Sequence, residues 1–261
     1  MATRLLNALP TAWLCALLVA LAVALAVGGL LAVRRVLPAM RLREHNEVAG
    51  FIYAVLGVIY AVLLPFVLVV VWEGFSDAEH AAMQEAETLT TLRLDAQAFP
   101  DPAPRQVAAQ ADAYARAAVD EEWPRMSRGG ESAAARDALA ALGQAVRAIE
   151  PRTGGEAAAY QLMLGHLDAL AGWRTARLFE ARSGVPKLLW AVLLFGGVLV
   201  VGYTYLYGVE RLAAQAAMTA ALAATVALVL AVILAIDHPF TGDFRVEPDD
   251  LRAFLAAGPS P

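Results

Sequence analysis

Apolar residues in this chain fall into four long runs, and polar residues gather between them. The runs cover roughly Thr11 to Val33, Val48 to Trp72, Leu188 to Tyr207 and Ala213 to Ile236. Each approaches or exceeds the about 20 apolar residues that an α-helix needs to cross a bilayer. None carries an Asp, Glu, Lys or Arg in its interior. Trp13, Trp72, Trp190 and the cluster Tyr203, Tyr205, Tyr207 sit near run ends, where amphipathic rings anchor at the headgroups. The first run exceeds the apolar core of a secretory signal peptide and is read as a retained helix.

The second run has one marked face. Asn46, Tyr53 and Tyr60 recur every seven residues, and Gly50, Gly57 and Leu64 interleave with them. At helical spacing these six form one stripe. A helix facing lipid needs no such stripe, so it faces protein or water. Two readings stand. In one, the stripe is a packing seam, where glycine lets backbones approach and each tyrosine hydroxyl finds a partner. In the other, it lines a conduit. A symmetric oligomer can use one face for both, and Pro65 kinks the helix just beyond it. At the entrance, His45, Asn46 and Glu47 either cap the helix or form an ion-selecting vestibule. In a vestibule, helix N-terminal amides attract anions and a ring of Glu47 favours cations.

The segment from Glu73 to Gly184 lacks strand alternation and repeats a helical period four times. Phe75, Ala78, Ala82, Leu89, Leu92, Ala96 and Phe99 continue the second run as one long helix, which the prolines of FPDPAP stop. A second helix is predicted over about Ala103 to Glu122, buried through Val107, Ala111, Tyr114, Ala118 and Val119. Trp123-Pro124 and Gly129-Gly130 then break the chain. Ser132 is the expected N-cap of a third helix carrying Ala135, Leu139, Leu142, Val146 and Ile149, ended by Pro151 and Gly154-Gly155. The fourth covers about Glu156 to Arg182 with Tyr160, Leu164, Leu167, Ala171 and Leu178, before a break at Gly184 and Pro186. Short turns between antiparallel helices imply a four-helix bundle. After an irregular turn at Pro239 and Gly242, Pro248 to Ala256 is predicted as a short amphipathic helix.

The fold class is therefore all-α: a polytopic membrane protein with four transmembrane helices and an extramembrane helical bundle. The expected division is 1–47 (first membrane helix and basic loop), 48–72 (second), 73–184 (bundle), 185–236 (third and fourth) and 237–261 (acidic tail).

Composition agrees, with 59% hydrophobic and 17% charged residues and a mean hydropathy of +0.56. The net charge of −5 and the absence of a basic stripe with interleaved aromatics exclude a nucleic-acid partner. Arg34, Arg35, Arg41 and Arg43 on the first short loop place that loop in the cytoplasm and the bundle outside. Arg174, Arg177, Arg182 and Lys187 before the third run argue the other way. The single cysteine, Cys15, forms no intrachain disulfide. Glu73, Asp237 and His238 form a polar cluster at the membrane interface. Asp237 and His238 are an adjacent pair with too few ligands for a metal, which favours capping or salt bridging. No nucleophile elbow, zinc-protease, Walker or dinucleotide fingerprint is present, so no enzyme, metal or cofactor is expected.

Four stretches carry a family resemblance. HNEVAGFIYAVLGVIYAVLLPFVLVVVWE, EEWPRM, the Tyr160–Arg182 helix ending before VPKLLW, and HPFTGDFRVEP resemble a bacterial membrane family described as bestrophin-like. The resemblance covers nearly the whole chain after about residue 40, and the first stretch is its most specific part. It implies a multi-pass plasma-membrane protein akin to bestrophins, which are oligomeric anion channels whose second membrane helix lines the pore. By that implication the Asn46–Leu64 stripe faces a central conduit and the bundle is cytosolic, against the charge-based orientation. The bestrophins' acidic calcium clasp has no counterpart here, and Asp243, Glu247, Asp249 and Asp250 are a poor substitute, so calcium gating is not implied. The expected partners are the lipid bilayer, further copies of the chain and inorganic ions. The alternative function is a membrane-anchored sensor or scaffold whose bundle binds a ligand or partner protein, an analogy from fold alone.

Overall fold

The computed structural model describes residues 10–36 and 46–258. His45, the outer member of the predicted vestibule, lies outside them, as do Arg41 and Arg43. The described residues form helices and no strand. In order they are α1 (Thr11–Val36), α2 (Asn46–Asp95) with a 3-10 turn (Ala96–Ala98), α3 (Ala103–Ala117), a π-helical turn (Ala118–Glu122) and α4 (Trp123–Met126). Then come α5 (Ala133–Arg147), α6 (Gly154–Arg182), α7 (Lys187–Tyr203) with a 3-10 turn (Thr204–Leu206), α8 (Leu212–Ile236) and α9 (Asp249–Ala256).

Two compact units result. One comprises Met1–Glu73, Gly184–Asp237 and Gly242–Phe244, and the other Gly74–Ser183, His238–Thr241 and Arg245–Pro261. The first holds α1, α7, α8 and the apolar part of α2, all helices long and apolar enough to cross a membrane. Its interior is thin: Leu14, Ala26 and Leu30 of α1 are buried with Leu193 and Val200 of α7 and Ala223 and Ile233 of α8. Meanwhile Phe51, Val58, Phe66, Leu188, Phe195 and Val198 stand exposed. Such a surface is untenable in water and ordinary in hydrocarbon.

The second unit has a dense core. Ala78, Leu89 and Leu92 of α2, Val107, Ala111 and Tyr114 of α3, Leu142 and Val146 of α5, and Met163 and Leu170 of α6 are all fully buried. Phe99 takes an extended conformation before Pro100 and stops the long helix as the prolines require. α9 buries Leu251 and Phe254, and the Phe254 ring lies 3.9 Å from the Arg93 guanidinium.

Local chemistry moves two boundaries. Trp123-Pro124 does not break the helix. The π-helical turn holds more residues per turn than an α-helix, so it rotates the next residues about the axis. Glu122, Trp123 and Met126 are thereby buried, and Pro124 sits near the start of α4, where its missing N–H costs little. Gly154-Gly155 opens α6 rather than closing α5. Thr153 caps the helix by accepting the Glu156 N–H at 3.1 Å, and the Glu156 carboxylate accepts the Arg152 N–H at 2.7 Å. Ser132 is the residue preceding α5, but its hydroxyl bonds Arg125 (2.6 Å) and Glu121 (3.2 Å) instead of the first-turn amides.

Candidate functional site: the stripe of the second helix and a buried charge network

Within the first unit, the stripe residues of α2 meet α7 and the turn after it. Asn46 is fastened at both ends of its amide: Nδ2 donates to the Gly208 carbonyl (3.3 Å) and Oδ1 accepts from the Gly208 N–H (2.9 Å). Tyr53 stacks on Tyr203 with ring centroids 5.8 Å apart and meets Tyr207 edge-on at the same distance. Tyr60 is buried, and its hydroxyl donates to the Leu193 carbonyl at 3.0 Å. The Tyr60 ring lies on two glycines of α7. A Cβ on Gly196 would come within 2.8 Å of the ring, and one on Gly197 within 3.0 Å of the hydroxyl. Leu64 packs against the cluster of Tyr60, Val200 and Val226.

The two stripe glycines differ from these. A Cβ at Gly50 would reach only the Tyr207 hydroxyl, at 3.7 Å, and one at Gly57 would meet nothing within 4 Å. Neither glycine is demanded by a neighbour in this subunit. Glu47 is exposed in the first turn of α2, where a carboxylate complements the helix dipole.

A polar knot joins the stripe's entrance, and sequence reasoning missed it. Gln215 of α8, almost fully buried, donates through Nε2 to the Thr204 and Tyr207 carbonyls, each at 3.0 Å. Its Oε1 accepts from Arg34 Nε at 2.8 Å, and Arg34 also donates to the Val209 carbonyl at 2.5 Å. The Thr219 and Thr204 hydroxyls bond at 3.0 Å. The knot ties the α7–α8 turn to α1, as Asn46 ties it to α2. Its sequence signal was an amide near the start of an otherwise apolar run, where an unpaired polar group is costly.

At the opposite end of these helices, Asp237 accepts the Val185 N–H (2.7 Å) and the Trp190 indole N–H (3.3 Å). It caps the backbone entering α7. Glu73 is exposed, and among the described residues no group of three or more His, Cys, Asp or Glu is placed to hold a metal ion.

Within the second unit, four charged side chains from α2, the π-helical turn and α6 are buried together. Arg177 is fully buried. It grips Glu85 with two bonds (Nε–Oε2 2.5 Å, Nη2–Oε1 2.9 Å) and reaches Glu122 at 3.0 Å. Arg174 forks onto Glu122 at 3.1 and 2.5 Å. Tyr114 donates to Glu85 at 2.5 Å, and the Ser132 N–H donates to Glu122 at 3.1 Å. The Arg177 guanidinium also sits 4.5 Å from the Trp123 ring. Two carboxylates balance two guanidiniums, so the network is neutral overall.

Burial alone would raise the Glu122 pKa, but the Arg174 hydrogen bond and the Arg177 charge outweigh it and hold the carboxyl below its ordinary 4.5. Burial and the neighbouring Glu85 push the Tyr114 phenol well above its ordinary value. Unfolded, Glu122 takes up its proton near 4.5; folded, it does so only at lower pH. The stability that its pairs contribute is thus complete above pH 4.5 and is lost as pH falls through the native value. Thermal unfolding in detergent between pH 7 and pH 3 should show this loss in the wild type, and Glu122→Gln should flatten it. An unchanged acid slope in Glu122→Gln would remove Glu122 as its source.

A family model described as Bestrophin-like domain matches residues 20–251. No curated protein matches the chain. Among solved structures, the chain is similar to a bacterial Bestrophin homolog from Klebsiella pneumoniae in two mutant forms. One is 15% identical, with 91% of this chain and 96% of that chain covered and a TM-score of 0.70. The other is 16% identical, with 91% and 94% covered and the same TM-score. A structure described as a membrane protein, also a point mutant, matches with 15% identity, 91% and 96% coverage and a TM-score of 0.70. At these identities the likeness is one of fold.

Proposed function

We propose, from the premise that this chain belongs to the bestrophin-like family, that it forms a homo-oligomeric ion channel whose second membrane helix lines the conduit. The protein is an integral membrane protein. In this reading it crosses a bacterial plasma membrane four times, and its partners are lipid, inorganic ions and further copies of itself. No enzymatic activity and no nucleic-acid binding are part of it.

The observation that carries the reading is how α2 divides its faces. Asn46, Tyr53, Tyr60 and Leu64 are engaged within the subunit, and this supports taking the stripe as a packing seam. The opposite face stays exposed: Ile52, Val55, Ile59, Val62, Phe66 and Val69, stepping by three and four. Copies of α2 arranged around an axis would turn this face inward as an apolar constriction, of the type that gates by dewetting. Glu47, exposed at the entrance of α2, would form a ring at the mouth. Asn46 contributes structure there, since both ends of its amide are occupied.

The test is ion flux from proteoliposomes holding protein of measured oligomeric mass. Phe66→Ser replaces the largest side chain of the constriction with a small polar one, and flux should rise by roughly tenfold, the loss of about 1.4 kcal/mol of barrier. Wild-type protein with no flux above empty vesicles, and no gain in Phe66→Ser, contradicts the proposal. A monomer without flux favours the sensor or scaffold reading. For that reading, the bundle offers a groove of about 600 Å³ lined by Arg105, Gln106, Gln110 and Gln144 with three alanines of α3 and α5 and Ala148 just after α5.

A further inference from the structure

We infer that the groove enclosed by α1, α7 and α8 binds one acyl chain of an anionic bilayer phospholipid, with the headgroup at the arginine-bearing end of α1. The inference does not rest on conduction; a protein that conducts nothing could hold the same lipid.

The groove has a volume of about 410 Å³, within the usual size of ligand sites. Its walls come from the middle of three membrane helices: Leu18 and Leu25 of α1, Leu194 and Val201 of α7, and Ala227 and Leu230 of α8. Small residues at Ala22, Ala26, Gly197 and Ala223 leave the recess between them. The lining is aliphatic except at one place, the tyrosine Tyr205. The recess opens at the depth of the hydrocarbon, where lipid tails are the solvent.

The groove has a direction. Tyr205 marks one end, with its hydroxyl against α1, where a Cβ on Gly29 would lie 2.8 Å away. Six residues further along α1, about 9 Å, stands Arg35. Arg34 and Arg35 form the basic last turn of α1. The Arg34 guanidinium is bonded to Gln215 and Val209, whereas Arg35 is exposed. A chain lying in the groove with its ester region near Tyr205 would bring its headgroup to Arg35. A single arginine at an anionic interface favours negative charge, and Tyr205 sits at the level where interfacial tyrosines anchor.

The experiment uses the full chain in phosphatidylcholine nanodiscs containing trace phosphatidylglycerol with a photoreactive diazirine in mid-chain. Adducts are mapped by peptide mass spectrometry. Adducts, resolved to single residues, should concentrate on the lining residues Leu18, Leu25, Leu194, Val201, Ala227 and Leu230, several-fold above the exposed Phe195 and Leu228, which lie outside the lining. Unlabelled phosphatidylglycerol should compete about fivefold better than phosphatidylcholine, and Arg35→Gln should erase that difference. Ala227→Phe, which fills the recess, should remove the groove adducts and keep the others. Uniform labelling of all lipid-exposed faces, or equal competition by the two lipids, overturns the inference. Both outcomes are read on wild-type protein, so a misfolded variant does not remove the test. A disulfide between protomers through Leu21→Cys in a Cys15→Ser background would assign the groove to a second copy and overturns it equally.

Discussion

Arg177→Ala lowers the stability of the protein by about 3–5 kcal/mol, because it strands a buried carboxylate. Glu85 has no exposed surface, and Arg177 supplies both ends of its fork. Tyr114 alone would then face that charge, while Glu122 would keep Arg174. For a chain of this size the loss corresponds to roughly 10 °C in apparent Tm. Unlike an exposed ion pair, this network is not screened by salt, so 0.5 M salt should leave the difference in place. The double variant Glu85→Gln with Arg177→Met removes both charges and keeps an acceptor for Tyr114. It should recover most of the loss, since an absent pair costs far less than a broken one. A loss below about 1 kcal/mol in Arg177→Ala, measured by thermal unfolding in detergent, would contradict the burial of an unpaired Glu85 carboxylate.

Gly196→Val should be the most damaging single change in the first unit. The added Cβ would lie 2.8 Å from two ring carbons of Tyr60, nearer than real Cβ contacts come. The ring is buried and its hydroxyl is held by the Leu193 carbonyl, so it can retreat only by giving up that bond. Overpacking costs about 1–3 kcal/mol, and a lost interhelical hydrogen bond within a membrane adds about 0.6. Tyr60→Phe removes the hydroxyl alone and should cost only that smaller amount. Pairing Gly196→Val with Tyr60→Ala relieves the clash, so the double variant should be more stable than the two losses added together. Strict additivity in that cycle would show that the two residues do not meet.

Much of the fold was legible in the sequence, and the hidden parts share one physical cause. The four apolar runs declare themselves because a helix in hydrocarbon must satisfy its own backbone and tolerates few charges, which makes the signal local. The stripe on α2 was equally local. Its partner was not: Tyr60 rests on Gly196 and Gly197, far along the chain, and periodicity names a face without naming what it meets. The charge network was hidden in the same way. Glu85 and Arg177 are 92 residues apart. Yet each leaves a trace. Glu85 falls between Ala82 and Leu89 on the buried face of α2, and Arg174 and Arg177 interrupt the apolar stripe of α6. A carboxylate on one core face and guanidiniums on another are complementary, and matching them across helices would have found the pair. The same cations also read as topological signals beside the third membrane helix, but Arg174 and Arg177 are neutralised inside the bundle. Trp123-Pro124 misled because a proline reads as a break, whereas after a π-helical turn it serves as a helix start.

Cysteine accessibility during ion flux reports whether ions pass along the outward face of α2. In a Cys15→Ser background, Ile59→Cys places a thiol on that face and Phe195→Cys places one on the exposed face of α7. Flux from proteoliposomes is measured before and after a charged, membrane-impermeant thiol reagent is added to both sides. A conduit lined by this face predicts block in Ile59→Cys and none in Phe195→Cys. Unaltered flux in Ile59→Cys, from protein of the wild-type oligomeric mass, would contradict it.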